Sequence, residues 1–246
     1  MHARFYAPDA HEIGGEIALP RDEAEHLARV LRLKAGDSLA VFDGRGAEFA
    51  ATIVSATKSR VTVRLDARTA AQAELPIALT LAQAVLKGDK MDDVVRDAVM
   101  LGFAAVQPLV SARSELSLAT LARGDRHERW QRIAVSSAKQ CGRAVVPAVA
   151  PPIAFEGPAS LAHLPSPLFL LVEPGASAAT MGVASVVPAA PAAATLIVGP
   201  EGGWTADELQ RCASHAHPLG IGALTLRADA AAVVAATALM AHWKLI

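Results

Sequence analysis

Cysteine is scarce in this 246-residue chain, which contains only Cys141 and Cys212. Two cysteines give no disulfide framework, and the N-terminus lacks the apolar segment of a signal peptide, so we expect a reducing cytoplasm. An excess of one charge is also missing, because 23 Lys and Arg nearly balance 24 Asp and Glu. The net charge of −1 excludes a protein that binds polyanions over its whole surface, so any nucleic-acid contact must be local.

Several catalytic and binding motifs are absent as well. The chain has no Gly-x-Ser-x-Gly, no Walker loop and no His-Glu-x-x-His, so hydrolases and NTPases lack their signatures. Cys212, His215 and His217 lie close together without a fourth ligand or the usual spacing, and we expect no metal site. The uncharged run 174–200 is broken by glycine and proline. It predicts a loop region rich in Ala and Pro that leads into a strand, not a membrane span.

The most informative stretch is a strand, a glycine loop and a helix start. Residues 195–198 are apolar and β-branched without polar alternation, which predicts a strand buried on both faces. The loop 199–203 contains three glycines, which let a backbone approach a ligand without interference from Cβ atoms. Thr205 and Glu208 form a capping box that predicts a helix from about Ala206. Ligands of open α/β sheets bind at such strand ends, although an ordinary glycine-rich turn remains the alternative.

Two patterns divide the chain. Up to about Arg68, short alternating strands and a hairpin signal at 43–46 predict a small antiparallel barrel, with a short helix at 21–33. The linker composition of 67–74 predicts a domain boundary near residue 72. Beyond it, strands alternate with helices, which predicts an α/β domain with a mostly parallel sheet. The expected strands are 77–85, 104–110, 168–172, 195–198 and 223–226, and the expected helices are 90–101, 128–141, one from 206, and 229–243.

Basic residues cluster locally. Arg29 and Arg32 project from the short N-terminal helix, and the segment 113–143 holds seven Lys or Arg against three Asp or Glu. On the helix from Glu128, one narrow stripe contains Arg129, Arg132, Ser136, Lys139 and Arg143. Such stripes contact phosphates in nucleic-acid-binding proteins, but a solvated helix face gives the same pattern.

A second glycine loop precedes the last helix. Gly220-x-Gly222 is not a dinucleotide fingerprint, because the strand and helix stand in the wrong order around it and no third glycine follows. A nicotinamide-binding Rossmann domain is therefore discounted.

Taken together, these motifs resemble the RsmE-type methyltransferases of the SPOUT superfamily, which methylate N3 of a uridine in 16S ribosomal RNA. The matching stretches are 26–32, 42–44, 87–91, 101–102, 140–143, 196–203 and 221–227. The resemblance implies a PUA-like RNA-binding β-barrel in residues 1–72. For residues 73–246 it implies a Rossmann-like SPOUT domain with a mostly parallel sheet and a deep C-terminal trefoil knot. It also implies a cytoplasmic homodimer that uses S-adenosylmethionine and acts on 16S ribosomal RNA of the small ribosomal subunit.

The resemblance also assigns site residues. The cofactor pocket is expected from Leu171, Val172, Glu173, Gly199, Pro200, Glu201, Gly202, Gly203, Leu219, Gly220, Ile221, Gly222, Leu224 and Leu226. Glycine loops at strand ends offer the backbone donors and apolar walls that an adenine and a methionine group need. RNA contacts are expected from Arg29, Arg32, Lys87, Lys90, Arg113, Arg132 and Lys139.

The chemistry of the reaction indicates the catalytic side chains. Methylation of uridine N3 requires loss of the N3 proton, which spreads negative charge onto the flanking carbonyl oxygens. A cation near those oxygens stabilises that charge. We expect Arg227 or Arg143 in this role, and Glu201 as an organiser of the glycine loop or as a base.

The chain departs from the family pattern near the second glycine loop. The common Leu-Gly-Pro-Arg-Ile-Leu-Arg-x-Glu-Thr-Ala stands here as 221–231, with Ala223 and Leu224 for the proline and first arginine and Asp229 for the glutamate. Met100 stands where a glutamate usually precedes Leu-Gly. Two alternatives follow: a methyltransferase of another RNA, such as a tRNA ribose, and a non-catalytic RNA-binding homologue.

Overall fold

The computed structural model describes residues 3–176, 180–185 and 189–246, and the chain divides into two compact units. The first unit contains the chain up to Glu74 together with Val135–Val146, and the second contains Leu75–Ala134 and Pro147–Ile246. Linker composition placed the boundary near residue 72. It gave no sign that 135–146 joins the first unit, because the helical pattern there runs on without interruption.

Thirteen strands are formed by the described residues: β1 Arg4–Tyr6, β2 Glu16–Ala18, β3 Ser38–Phe42, β4 Glu48–Ala56, β5 Val61–Thr69, β6 Ala78–Ala84, β7 Ala105–Val110, β8 Ala148–Val149, β9 Ile153–Ala154, β10 Leu168–Leu171, β11 Met181–Gly182, β12 Ala193–Val198 and β13 His217–Gly220. The α-helices are α1 Arg21–His26, α2 Lys90–Met100, α3 Leu118–Arg123, α4 Arg126–Cys141, α5 Ala206–Cys212 and α6 Ala228–His242. A π-helical turn, Leu27–Leu31, continues α1.

The first unit is built on a five-stranded sheet in the order β1-β3-β4-β5-β2. Alternation along β5 places Val61, Val63 and Leu65 in the core. The small PUA-like β unit predicted by the sequence is therefore present. One pair differs from the expected antiparallel arrangement, because β1 and β3 run parallel. The chain between them is long enough to cross over, since it contains β2 and α1.

Arg4 connects the end of α4 to the β strands of the first unit. Its guanidinium donates to the carbonyls of Ala138, Lys139 and Arg143 at 2.9 to 3.2 Å, and it pairs with Glu48 at 2.6 Å. The last carbonyls of a helix have no partner inside it, and a cation placed there satisfies them. This arrangement explains why 135–146 belongs to the first unit.

The second unit contains an eight-stranded parallel sheet in the order β11-β13-β10-β12-β6-β7-β8, with β9 also paired to β7. All residues of β10 and the last five of β12 are buried, as expected for strands covered on both faces. The predicted α/β class with a mostly parallel sheet is confirmed. Because β10 and β12 are neighbours, the segments that follow them leave the sheet side by side.

The segment before α6 differs from the expected strand. The strand expected at 223–226 is wrong: 221–227 is an irregular loop, and the strand β13 lies earlier and pairs with β10. Gly222 has a φ of +68°, which breaks extended structure, and Leu224 is 80% exposed instead of packed in a sheet.

In the run 174–200, residues 177–179 and 186–188 lie outside the described residues. No helix in the described part of the chain is long and apolar enough to cross a membrane.

Candidate active site

A cavity of about 300 Å³ lies in the second unit, at the carboxyl ends of β10 and β12. Its wall comes mainly from three segments, which follow β10, β12 and β13. Of the predicted cofactor residues, those on the wall are Leu171, Val172, Glu173, Gly199, Pro200, Glu201, Gly203, Ile221, Leu224 and Leu226. Gly202, Leu219, Gly220 and Gly222 belong to the same segments without lining the cavity. The structure thus brings the three predicted segments together.

Two glycines allow the loop after β12 to fold closely on its neighbours. Gly203 is buried with a φ of +66°, and a Cβ atom there would lie 2.9 Å from Oε1 of Glu173. A Cβ on Gly199 would lie 3.0 Å from Cε2 of Trp204. A side chain at Gly203 would be strained by the positive φ and would displace the Glu173 carboxylate, and one at Gly199 would press on the Trp204 ring.

Trp204 connects the two main segments of the wall. Its indole Nε1 donates to the carbonyl of Leu171 at 2.9 Å, and its ring lies 4.8 Å from that of Phe155. The sequence assigned no role to this tryptophan. The only local indication of such a role is its position directly after two glycines, at the end of the predicted binding loop.

Glu201 is held at the start of α2. One carboxylate oxygen accepts from Lys90 Nζ at 2.8 Å and from the backbone N–H of Lys87 at 3.2 Å. Partial burial raises the pKa of Glu201, but the hydrogen bonds from Lys90, its own backbone and Lys87 outweigh this effect and lower the pKa overall. A carboxyl group with a lowered pKa is a weak proton acceptor, so this geometry suits an organiser of the loop better than a base.

The capping box of α5 reaches beyond its own helix. Glu208 is buried and accepts from the N–H and hydroxyl of Thr205 at 2.8 and 2.9 Å. Its other carboxylate oxygen accepts from the backbone N–H of Ala112 at 2.9 Å. The next residue, Arg113, lines the cavity and donates from Nη1 to the carbonyl of Gly202 at 2.6 Å. The start of α5 therefore fixes the segment that positions Arg113.

Arg227 is the residue before α6 and lines the cavity. Its guanidinium lies 3.3 Å from both carboxylate oxygens of Asp229, and its side chain is 74% exposed. Thr225 lies on the wall within the run 219–226 that the family resemblance implied for the pocket, and Asp229, which the sequence did not place there, lies on the wall as well. The arginine is held from one side and keeps donors toward the open cavity.

Arg143, the other cation predicted for catalysis, belongs to the first unit. It is buried, and its guanidinium grips both oxygens of Glu74 at 2.5 to 3.1 Å. Lys139 of the same stripe pairs with Glu23 at 2.6 Å and lies over the ring of Phe5. This end of the stripe forms ion pairs inside the first unit, which a helical pattern cannot distinguish from a phosphate-binding face.

The other predicted RNA contacts are more exposed. Arg29 pairs loosely with Glu25 at 3.5 Å with a 64% exposed side chain, and the exposed Arg32 adopts a left-handed φ of 55°. In the second unit, Lys87 lies 3.3 Å from Glu115, and Arg132 is 61% exposed. Lys90 and Arg113, predicted for RNA, line the cavity itself.

In the described part of the chain, no group of three or more His, Cys, Asp or Glu side chains is placed to hold a metal ion. Burial raises the pKa of the Cys212 thiol to about 11, so this thiol stays protonated near neutral pH.

Family models match both parts of the chain. The model described as the RNA methyltransferase domain matches residues 73–240, and the model described as the RNA methyltransferase PUA domain matches residues 19–66. The first match covers more than half of the chain. The chain belongs to the RNA methyltransferase family. The RsmE-type resemblance read from the sequence motifs agrees with the names of its relatives.

Two curated relatives align with this chain over most of their length. The ribosomal RNA small subunit methyltransferase E of Synechocystis sp. is 33% identical over 96% of this chain and 76% of its own length. The Bacillus subtilis protein of the same name is 27% identical over 94% of this chain and 91% of its own length.

Two solved structures have the same fold. The ribosomal RNA small subunit methyltransferase E of Neisseria gonorrhoeae, bound to S-adenosyl methionine, is 30% identical with a TM-score of 0.87, over 99% of this chain and 98% of that chain. A Legionella pneumophila protein in complex with bound cofactor SAM is 29% identical with a TM-score of 0.88, over 98% of both chains.

Proposed function

We propose that this chain is an S-adenosylmethionine-dependent methyltransferase that methylates N3 of a specific uridine in 16S ribosomal RNA of the small ribosomal subunit. The observation that carries the proposal is the cavity at the carboxyl ends of β10 and β12, lined by a glycine loop, in a chain of the RNA methyltransferase family. The cofactor bound in the Neisseria and Legionella structures supports the choice of S-adenosylmethionine.

The residues of the cavity suit this cofactor. Apolar side chains that could hold an adenine form much of the wall, including Leu171, Val198, Ile221 and Leu226. Gly199 and Gly203 line the cavity without side chains, and their backbone groups could bind the polar edges of the ligand. S-adenosylmethionine supplies an electrophilic methyl group when bound.

Arg227 is the residue that we assign to charge stabilisation. The uracil ring becomes negative when N3 loses its proton, and a guanidinium at the cavity can donate to the carbonyl oxygens that share this charge. Asp229 holds the guanidinium from one side, so the remaining donors are available to the base. Arg143 is already engaged by Glu74 in the first unit, and we therefore assign this role to Arg227 alone.

RNA binding is proposed for the PUA-like unit and for the basic residues near the cavity. Arg29 and Arg32 present exposed cations in the first unit, as Lys87 and Arg132 do in the second. Lys139 remains a weaker candidate because Glu23 neutralises it. The homodimer, the trefoil knot and the cytoplasmic location implied by the family resemblance belong to the same proposal.

Mass spectrometry of nucleosides tests the proposal directly. Small-subunit RNA from cells that lack the activity is incubated with the protein and methyl-labelled S-adenosylmethionine, both as bare RNA and as assembled subunits. We expect labelled 3-methyluridine at one position. Label in a ribose, in another base or in tRNA would identify a different substrate. Cofactor binding without label in any RNA would favour a non-catalytic RNA-binding protein.

A further inference from the structure

Three cations line the cavity among the described residues, and they differ in how they are neutralised. Lys90 pairs with Glu201 at 2.8 Å, and Arg227 pairs with Asp229 at 3.3 Å. Arg113 donates to an uncharged carbonyl, and within the described ranges no carboxylate forms an ion pair with it. Three carboxylates, Glu173, Glu201 and Asp229, also line the cavity, so its formal charges balance. Arg113 is nevertheless the lining cation whose guanidinium has no ion-pair partner in these ranges, and a phosphate could bind its remaining donors.

Arg113 is also closely attached to the glycine loop. Its Nη1 lies 2.6 Å from the carbonyl oxygen of Gly202, and a Cβ on Gly202 would lie 3.3 Å from the Cβ of Arg113. The backbone before it is fixed by the bond from Ala112 to the buried Glu208. The arginine is thus placed by one helix start and in turn fixes the peptide unit next to Gly203.

We propose that Arg113 binds a phosphate of the RNA substrate while it holds the carbonyl of Gly202, so that RNA and cofactor strengthen each other's binding. This inference rests on the proposed function. A guanidinium has five N–H donors in a planar fork, and only one of them is used by Gly202. The remaining donors can grip a phosphate without releasing the loop.

The coupling has a simple physical basis. The guanidinium that would bind the phosphate is the same group that holds the Gly202 carbonyl. A phosphate that anchors this guanidinium would also restrain the glycine loop, so a cofactor that binds afterwards has less ordering to impose on the loop. Linkage requires the effect to be reciprocal, and the cofactor must raise RNA affinity by the same factor. Arg113 is a positioning residue in this scheme.

The test measures the dissociation constant of S-adenosylhomocysteine, which cannot donate a methyl group, with and without purified small-subunit RNA. It compares the wild-type protein with the R113Q and R113K variants. R123Q serves as the matched control, because Arg123 is an exposed arginine of the same unit that does not line the cavity. Thermal unfolding of each variant shows whether the fold is retained.

We expect RNA to lower this dissociation constant at least about fivefold for the wild type and for R123Q. For R113Q the ratio should fall to about one while the protein still binds S-adenosylhomocysteine alone. R113K should retain more RNA affinity than R113Q but also lose the coupling, because a single ammonium cannot bridge the carbonyl and a phosphate as a planar fork does.

Three results would overturn the inference. The first is an equal RNA effect in R113Q and the wild type, and the second is a wild type without any RNA effect. The third is complete loss of S-adenosylhomocysteine binding in a folded R113Q without RNA, which would indicate that Arg113 binds the cofactor carboxylate. A wild type that binds no S-adenosylhomocysteine at all would reject the proposed function itself.

Discussion

Charged side chains at the cavity are held by specific partners, and these partners determine what each charge can do. Arg227 is restrained by Asp229 on one side, whereas Glu201 is restrained by Lys90 and the backbone of Lys87. The first arrangement leaves donors for a ligand. The second uses the carboxylate to fasten the glycine loop to the start of α2.

Replacement of Arg227 by alanine should reduce methyl transfer without comparable loss of cofactor binding. Removal of a donor that meets developing negative charge typically costs about 10²- to 10³-fold in kcat, and we expect this range for R227A. R227K should retain part of the activity because it keeps the charge. The measurement is kcat with saturating RNA, together with the dissociation constant of S-adenosylhomocysteine. A kcat within about threefold of the wild type would remove Arg227 from the reaction.

The lowered pKa of Glu201 predicts a stability contribution that depends on pH. A carboxyl group with a folded-state pKa below its ordinary value of 4.5 stabilises the fold above that value. The contribution is lost as the pH falls through the lower, folded-state pKa. The difference in Tm between the wild type and E201Q should therefore be constant from pH 7 to about pH 5 and shrink below it. A difference that grows in acid would contradict the assignment.

The short helix α5 holds a second segment of the chain, the one that follows β7, through its first turn. Glu208 satisfies donors from its own first turn and from Ala112, which follows β7 by two residues. Loss of this carboxylate would leave the N–H groups of Thr205 and Ala112, which form partly buried hydrogen bonds, without this partner in two segments of the second unit.

We expect E208A to lower the free energy of unfolding by about 2 kcal/mol, because it removes three hydrogen bonds to a charged acceptor, each worth about 1.5–3 kcal/mol, while water can reach part of the released donors. T205A should cost about 1 kcal/mol as a simple loss of a helix cap. The control is D207N on the same turn, because the exposed side chain of Asp207 pairs with Arg211 at the surface and its replacement should hardly change the midpoint. Denaturant unfolding measures all three. Equal midpoints for E208A and D207N would refute the bridging role.

For the whole molecule, the family resemblance predicts a homodimer, and the helices of the second unit offer a suitable surface. Met100 on α2 and Val234 on α6 are 45% and 38% exposed, although both are apolar, and the two helices pack on each other. Large contiguous apolar patches mark protein interfaces, and we place the predicted dimer contact at these two helices.

Light scattering should give a mass of twice the chain mass of 25.5 kDa. V234K should shift the protein toward monomer. Dimer formation would bury the lysine charge without a partner, and this desolvation would outweigh the free energy gained from the apolar contact. I13K is the matched control, since Ile13 is an exposed apolar residue of the first unit at 57% exposure. A wild-type mass equal to one chain at micromolar concentration would remove the dimer from the proposal.

Local patterns in the sequence determined a large part of the fold. The run 195–198, the capping box of Thr205 and Glu208 and the stop at Gly102 each carry their structural signal within a few residues. Such features depend on backbone sterics, on neighbouring hydrogen bonds and on burial of a periodic face, so one segment suffices to read them. The segments of the candidate pocket were found in the same way, with help from the family motifs.

Tertiary structure decided what each side chain does. The bond from Ala112 to Glu208 joins residues 96 positions apart, and that from Trp204 to Leu171 joins residues 33 apart. On the basic stripe of α4, the ion pair of Arg132 with Asp125 leaves the arginine side chain 61% exposed, whereas the pair with Glu23 leaves Lys139 only 20% exposed. Glu23 is far from Lys139 in the sequence, so only the fold shows this difference. Residues 224–226, expected in a strand, line the cavity instead. A helical or alternating pattern defines a face, but only the folded chain determines which residues pack against it.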